Sequence, residues 1–160
     1  MLKKFFRFLN IMSKSDSEEV VFLKKVKIFK TLNNDELLSF SKYFLVRKFE
    51  PGEIIFRETY PHVVLYIIRS GEVELFFEND EKVSTIKNLQ ENKHFGEIGI
   101  FKETNRTASA RAVKSTVLYG ITKTDFIRYA RKNSAVGVKL LFNIAECMAD
   151  IIINSNEKIK

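Results

Sequence analysis

The feature that most constrains this chain is a series of short β-type segments, separated by turn signals, between residues 46 and 122. Each segment is rich in β-branched or aromatic residues, and tight-turn pairs such as Pro-Gly and Ser-Gly separate several of them. Short strands at this spacing indicate an antiparallel sandwich or roll. The predicted strands are residues 46–49, 54–57, 63–68, 72–77, 83–89 and 116–121.

Helical periodicity stands on both sides of this β-rich region. Upstream, the pattern predicts helices over residues 18–30 and 37–44, with a turn or cap at residues 33–35. Downstream, it predicts a helix over residues 124–131 and a longer one over residues 134–154. We therefore expect a mainly β fold with helices at both ends: an antiparallel double-stranded β-helix, which is a β-roll of the jelly-roll or cupin-like type.

Length and composition fit one globular domain. The 160 residues, 45% of them hydrophobic, are enough to bury a core. We expect a basic leader and linker over residues 1–19 and the domain over residues 20–156. No apolar run approaches the ~20 residues that cross a bilayer, and the single cysteine, Cys147, cannot form an internal disulfide. These features predict a cytoplasmic location.

Charge and residue types exclude several functions. The net charge of +7 favours anionic partners. Two histidines are too few for a three-histidine metal site, which argues against a cupin-type metalloenzyme and against a bound metal. They also leave no Ser-His-Asp or Cys-His set, so we expect no enzymatic activity. We expect no DNA binding, because no basic recognition helix stands out and only six residues follow Asn154.

The most informative segment begins at Phe95. Residues 95–101 read Phe-Gly-Glu-Ile-Gly-Ile-Phe, and residues 105–112 read Asn-Arg-Thr-Ala-Ser-Ala-Arg-Ala. The glycine before a short helix would let the backbone approach a ligand, and the helix start offers free N–H groups. Arg106 adds a planar cation that suits phosphate oxygens, and Glu97 adds a carboxylate that can accept a hydroxyl hydrogen. These residue types suit an anionic phosphate beside a sugar hydroxyl.

Three further segments accompany this motif in a fixed order, at residues 22–29, 51–56 and 65–73. With them, residues 20–154 resemble the cyclic-nucleotide-binding family, which is shared by catabolite-activator proteins, kinase regulatory subunits and gated channels. The resemblance implies that Glu97 binds ribose, that Arg106 binds the cyclic phosphate, and that nearby backbone amides complete the cradle. The implied ligand-binding set is Phe95, Gly96, Glu97, Ile98, Gly99, Arg106, Thr107 and Ala108.

The resemblance implies a regulatory or sensor module for a small molecule, cAMP or cGMP. Such a module would signal by moving its C-terminal helices toward an unknown effector protein. The alternative is a domain of the same fold that has lost its ligand and serves as a protein-interaction or membrane-surface scaffold.

Several positions depart from the family pattern or leave ligand choice open. Asn105 stands in place of the usual proline, and residues 59–63, which read Thr-Tyr-Pro-His-Val, replace a glycine-rich turn. The glycine usual before Phe-Gly-Glu is absent from residues 91–94. These departures affect turn geometry rather than a named ligand contact. Thr107 could accept from the 2-amino group of a syn guanine or could cap its own loop, so it does not decide the base.

Each main site residue also has a plainer interpretation. Arg106 could pair with Glu103 at the surface, a contact worth only about 0–1 kcal/mol. Glu97 could be a carboxylate favoured at a helix start by the helix dipole. Gly99 could be a turn residue. The spacing of all these residues together favours the ligand site over these separate interpretations.

The last predicted helix carries one polar stripe and a wide apolar remainder. The stripe consists of Lys139, Asn143, Glu146, Asp150 and Asn154. The apolar arc is wider than one packing face requires. Three arrangements would explain the extra apolar width: a lid over the nucleotide, a partner helix across a homodimer axis, or burial against the N-terminal helices. Counting along the family pattern puts the lid at Ile151, Ile152, Asn154 and Ser155.

The leader, residues 1–14, is basic and would be amphipathic if it were helical. Such a helix can lie on an anionic membrane surface as a peripheral contact. It can also dock on a partner protein or pack on its own domain. The sequence leaves these three interpretations open.

Overall fold

The computed structural model describes residues 18–79 and 82–157. It divides into two compact units. Tyr43–Lys132 form one unit, here called the β unit, and residues 18–42 and 133–157 form the other, the helical unit. The leader, residues 1–14, lies outside the described residues, so its membrane contact stays a prediction.

Five helices and eight strands make up the described part of the chain. In chain order they are α1 (Glu18–Leu23), α2 (Asn34–Ser41), β1 (Leu45–Phe49), β2 (Ile54–Phe56), β3 (Val64–Ser70), β4 (Glu72–Asn79), β5 (Lys82–Gln90), β6 (His94–Phe95), α3 (Ile98–Phe101), β7 (Ser109–Ala112), β8 (Thr116–Thr122), α4 (Lys123–Lys132) and α5 (Ser134–Glu157), with a 3-10 turn at Lys27–Phe29. No described helix is both long enough and apolar enough to cross a membrane.

The strands of the β unit form two antiparallel sheets. One has the strand order β1-β8-β3-β6 and the other the order β2-β7-β4-β5. Apolar side chains from both sheets form one core cluster, since alternate residues of a strand point to the same face. Its buried members are Phe49, Phe56, Ile68, Val73, Leu89, Phe95, Ala110, Ala112 and Leu118. The predicted antiparallel roll with helices at both ends is confirmed.

Two strands of the roll have no signal in the sequence pattern. β6 is only two residues long, and β7 reads Ser-Ala-Arg-Ala, which contains no β-branched or aromatic residue. β7 forms because it pairs with both β2 and β4, and because Ala110 and Ala112 are buried in the core. Tertiary packing outweighs intrinsic propensity here.

The predicted helix over residues 18–30 is wrong in its second half. α1 ends at Leu23, after which the N–H groups of Lys25 and Val26 donate to carbonyls three residues back. Val26 and Ile28 are both fully buried. Residues two apart point to opposite sides of a continuous helix, so the chain can bury both only by leaving the α-helical path.

The second helix begins and ends three residues earlier than predicted. Its start is fixed by a capping box, in which the N–H of Glu36 donates to Asn33 Oδ1 at 2.9 Å and the N–H of Asn33 donates to Glu36 Oε2 at 2.9 Å. These bonds satisfy two donors that a helix start leaves free. The predicted cap is thereby confirmed at Asn33, whereas residues 34 and 35 belong to the helix itself.

The polar stripe of α5 faces the N-terminal segment of the helical unit. Asn143 is buried and donates to the carbonyl of Ile28 at 3.0 Å and to Thr31 Oγ1 at 2.9 Å. Three ion pairs flank it along the helix: Lys139 with Glu36, Glu146 with Lys30, and Asp150 with Lys27. Leu140, Ile144 and Cys147 of α5 are buried as well, whereas Val138, Phe142 and Ile152 are exposed. The apolar arc therefore has a buried side and an exposed side, and the polar stripe lies between them.

Candidate functional site

A short antiparallel pairing of residues 60–62 with residues 104–106 fixes the backbone that leads into Arg106. The Arg106 N–H donates to the Tyr60 carbonyl at 2.9 Å, and the His62 N–H donates to the Thr104 carbonyl at 2.9 Å. Between them, Pro61 and Asn105 form an isolated β-bridge. This pairing constrains the loop at the position where the family pattern has proline and this chain has asparagine.

The Arg106 guanidinium lies in a cradle built by both sheets. The side chain is only 6% exposed, and its Nη2 donates to the Val64 carbonyl at 2.9 Å. Its central carbon lies 3.9 Å from the centre of the Phe56 ring and 5.7 Å from that of Tyr66. Phe95 completes the aromatic wall, 5.3 Å from Tyr66 and 5.9 Å from Phe56 between ring centres.

Two donors of this guanidinium lack a partner. Nε and Nη1 of Arg106 are buried and have no hydrogen-bond acceptor among the described residues. Burial lowers the pKa of Arg106 to about 10, although Tyr66 and Glu97 oppose that change, so the group stays protonated at neutral pH. A buried donor without an acceptor costs free energy, more so when it is charged. The arrangement therefore suits an anion.

The plainer interpretation of Arg106 as a surface partner of Glu103 is wrong. Glu103 is almost fully exposed and pairs instead with Lys123, at 3.8 Å between Nζ and Oε1. Arg106 turns inward because its flat guanidinium can stack on Phe56 and reach a backbone carbonyl at the same time.

Gly96 and Gly99 make room for this close packing. Gly96 has a φ of +85°, and a Cβ there would lie 2.5 Å from Arg106 Nη1 and 2.7 Å from the Val64 carbonyl oxygen. A Cβ at Gly99 would lie 2.1 Å from the His62 carbonyl oxygen. Gly99 lies within α3 rather than in a turn, which corrects the plainer interpretation of that residue.

Glu97 stands directly before α3, beside this cradle. It is half-buried, and its side chain makes no capping hydrogen bond to the helix start. Burial raises the pKa of its carboxyl, while its own backbone N–H, Arg106 and Lys87 oppose that rise. The carboxyl is thus partly desolvated and lies within electrostatic reach of Arg106.

The remaining predicted residues are distributed as follows. Ile98 is half-buried in α3, and Thr107 and Ala108 form the bend that leads from Arg106 into β7, with Thr107 exposed. The implied ligand set from Phe95 to Ala108 therefore lies within the β unit. The four lid candidates are exposed on α5, in the helical unit: Ile151, Ile152, Asn154 and Ser155.

The sequence pattern missed several residues that build the site. Phe56 and Tyr66 lie in segments that match the family, but only the packing of the two sheets brings both rings to Arg106. His62 is buried beside Gly96 and Gly99, a placement that the turn sequence does not predict. Its signal was a histidine inside a turn that is usually glycine-rich.

A family model described as "Cyclic nucleotide-binding domain" matches residues 46–133, which is more than half of the chain. The chain belongs to the cyclic nucleotide-binding domain family. The matched residues include every member of the Arg106 cradle and Glu97. Within the described residues, no group of three or more His, Cys, Asp or Glu side chains could hold a metal ion.

Known proteins similar to this domain include a protein kinase and a regulatory subunit of another protein kinase. It is 30% identical over 104 residues to a cGMP-dependent protein kinase of Plasmodium berghei (strain Anka), a match covering 65% of this chain and 12% of the kinase. It is 32% identical over 107 residues to a cAMP-dependent protein kinase regulatory subunit of Emericella nidulans, covering 67% of this chain and 26% of that subunit. The domain thus spans a minor part of each relative.

A solved structure shows the same architecture. The catabolite activator protein of Thermus thermophilus superposes on this domain with a TM-score of 0.75 and 26% sequence identity. The superposition covers 83% of this chain and 61% of that protein.

The close approach at Gly96 yields a stability prediction with an internal control. Gly52 has nearly the same φ, +84°, but no atom lies within 4 Å of the position of a Cβ there. Both Gly96→Ala and Gly52→Ala should lose about 1–2 kcal/mol through the left-handed backbone. Gly96→Ala should lose at least about 1 kcal/mol more, because it also crowds Arg106 and Val64. Urea unfolding measures both free energies, and equal losses would contradict this packing.

Proposed function

We propose that this domain is a regulatory module, not an enzyme, that binds cAMP or cGMP. The observation that carries the proposal is the buried Arg106 guanidinium, which keeps two donors without an acceptor among residues 18–79 and 82–157. A cyclic phosphate brings one negative charge and acceptor oxygens. Charge-assisted hydrogen bonds to such an anion would satisfy the donors and offset the cost of burying the cation.

The neighbouring backbone would complete the phosphate cradle. The first N–H groups of a helix have no partner within the helix, and they point along its axis. α3 begins at Ile98 and Gly99, immediately after Gly96 and Glu97. The N–H groups of Thr107 and Ala108 follow Arg106 directly, so they would approach the same phosphate from the other side.

Glu97 would hold the ribose. Its carboxylate can accept a hydrogen bond from the free 2′-hydroxyl of a cyclic nucleotide. The cap position leaves the side chain without a capping bond, and Arg106 favours its ionised form. Cyclic phosphate and ribose would therefore be held by side chains of opposite charge that are nine residues apart in sequence.

The base is not decided by the site. The similar kinase of Plasmodium berghei is named for cGMP, and the similar subunit of Emericella nidulans is named for cAMP. Thr107 is exposed at the edge of the cradle. Its hydroxyl would be available to a syn guanine, but it would also suit the phosphate.

Replacement of Arg106 tests the proposal. Arg106→Ala should weaken binding of cyclic AMP and cyclic GMP by about 1.5–3 kcal/mol, because a charge-assisted bond is lost. Arg47→Ala is the matched control, since Arg47 is exposed on β1. Calorimetry measures both variants after circular dichroism has verified the fold. Unchanged affinity in folded Arg106→Ala would contradict the proposed site, and no binding by the wild-type domain would favour the alternative of a scaffold without ligand.

We propose that α5 reports the ligand. Ile151 and Ile152 offer apolar cover for a base, and Asn154 and Ser155 offer hydrogen bonds; all four are exposed. The nucleotide would bind the state in which α5 covers the base more tightly than the state in which it does not. That difference in affinity would drive the switch toward an effector.

Hydrogen exchange tests this motion. On addition of saturating cyclic nucleotide, amides of residues 134–155 should gain more protection than amides of residues 64–77, because the lid orders while the sheet is already ordered. Uniform protection across the chain, or none in α5, would identify α5 as a fixed structural element.

We also propose that the exposed face of α5 pairs with the same face of a second copy of the chain. Val138, Phe142, Ala145, Ala149 and Ile152 recur at spacings of four and three residues and are all exposed. That spacing is the seam of a two-stranded coiled coil. The far side of the helix is buried at Leu140, Ile144 and Cys147. The five seam residues are all apolar, so the seam has no polar residue that would reject an identical partner.

Replacement of Phe142 tests the homodimer. Phe142 is 72% exposed, and Phe142→Lys should reduce the association constant at least about tenfold, because two like charges would meet in an apolar seam. Phe77→Lys is the control, since Phe77 is half exposed on β4. Sedimentation velocity measures the mass of each variant. A wild-type monomer at high concentration would contradict the homodimer and leave an effector protein as the partner for this face.

A further inference from the structure

The His62 imidazole is buried and makes no hydrogen bond to residues 18–79 or 82–157. The residue is 5% exposed, and neither ring nitrogen has a partner among the described residues. The ring is held against two glycines: its Nε2 lies 3.4 Å from the position of a Cβ on Gly96, and its Cδ2 lies 2.7 Å from that of a Cβ on Gly99. A larger residue at 99 would displace the ring, so its position is tightly set.

His62 and Arg106 border the same point in the site. The position of a Cβ on Gly96 that lies 3.4 Å from His62 Nε2 also lies 2.5 Å from Arg106 Nη1. Both atoms lack a hydrogen-bond partner in the described chain. Burial lowers the pKa of His62 to about 4, and repulsion from Arg106 adds to that effect, while the nearby Gly96 backbone favours the protonated ring. The ring is therefore neutral beside a cation at neutral pH.

The other charged groups near the ring interact with partners other than His62. His62 also lines a surface groove with Glu103 and Lys123, whose side chains pair with each other. Glu97, the residue after Gly96, interacts electrostatically with Arg106. Arg106 is the charged side chain that acts on the His62 ring. A change in the charge balance at Arg106 is thus transmitted directly to His62.

We propose that His62 takes up a proton when an anion binds at Arg106, so that cyclic nucleotide binding strengthens as the pH falls. This inference rests on the proposed function of the site. The ring is neutral chiefly because it is buried, and repulsion from Arg106 adds to that effect. The bound phosphate offsets the positive charge of Arg106 and so removes this repulsion. The protonated ring can then donate a hydrogen bond to the anion or to the Gly96 carbonyl.

The sign and size of the effect follow from proton linkage. Affinity rises as the pH falls from above the pKa of His62 in the complex toward its pKa of about 4 in the free domain. If binding returns the ring to an ordinary pKa of about 6.5, the affinity should increase up to about thirtyfold between about pH 8 and about pH 5. A ring that stays neutral in the complex gives no increase.

The test is a titration of the full chain with cyclic GMP at these two pH values. Neither the guanine nor the cyclic phosphate titrates between them, so the ligand adds no proton of its own. Wild-type protein and His94→Gln should show the gain in affinity at the lower pH, and His62→Gln should lose it. His94 is the matched control because it is the only other histidine. An NMR pH titration of the wild-type His62 ring should show a higher pKa with cyclic GMP than without it.

Each outcome has a defined meaning. Protonation of Glu97, whose pKa burial raises, acts on wild-type protein and His62→Gln alike, so the difference between these two proteins isolates His62. The same change in affinity with pH in both proteins, or an unchanged ring pKa, would overturn the role of His62 and leave the proposed function intact. Absence of cyclic GMP binding at either pH, together with absence of cyclic AMP binding, would overturn the proposed function and this inference with it. If His62→Gln does not fold, the wild-type NMR titration alone decides.

Discussion

The packing of the Arg106 guanidinium is the constraint on which the site depends. The group is buried against the Phe56 ring, bonded to the Val64 carbonyl and pressed against Gly96. Phe56 belongs to one sheet of the roll and Val64 to the other. The contacts of this one side chain therefore depend on how the two sheets pack against each other. The cost of burying an incompletely bonded cation is borne by the stability of the whole β unit.

Several neighbouring segments hold the Arg106 side chain in this position. The pairing of residues 60–62 with residues 104–106 sets the backbone of Arg106. Gly96 removes the Cβ that would displace its guanidinium, and Gly99 lets α3 approach the carbonyl of His62. The proposed anion site is therefore assembled before its ligand arrives, and a preassembled site loses less conformational entropy on binding. Such preorganisation is consistent with the proposed binding of a small anionic ligand.

The parts of this structure that sequence could predict are those with a local signal. Alternating segments predicted the roll, and the family motif brought Gly96, Glu97 and Arg106 to one place. β7 has no β-forming side chain, so its strand depends on its neighbours. The polar stripe of α5 finds its partners at least 103 residues away in sequence. The surroundings of His62 are formed by Gly96, Gly99 and Arg106, which are distant in sequence. No pattern within residues 59–63 predicts them.

The most direct test of the central claim is a crystal structure of the chain with cyclic AMP or cyclic GMP. The cyclic phosphate should accept a hydrogen bond from Arg106 through Nε or Nη1, the atoms that now lack an acceptor in the described residues. The ribose 2′-hydroxyl should lie within hydrogen-bond distance of the Glu97 carboxylate. Electron density for the nucleotide elsewhere on the domain, with Arg106 still bonded only to Val64, would contradict the claim that this buried cation is the ligand site.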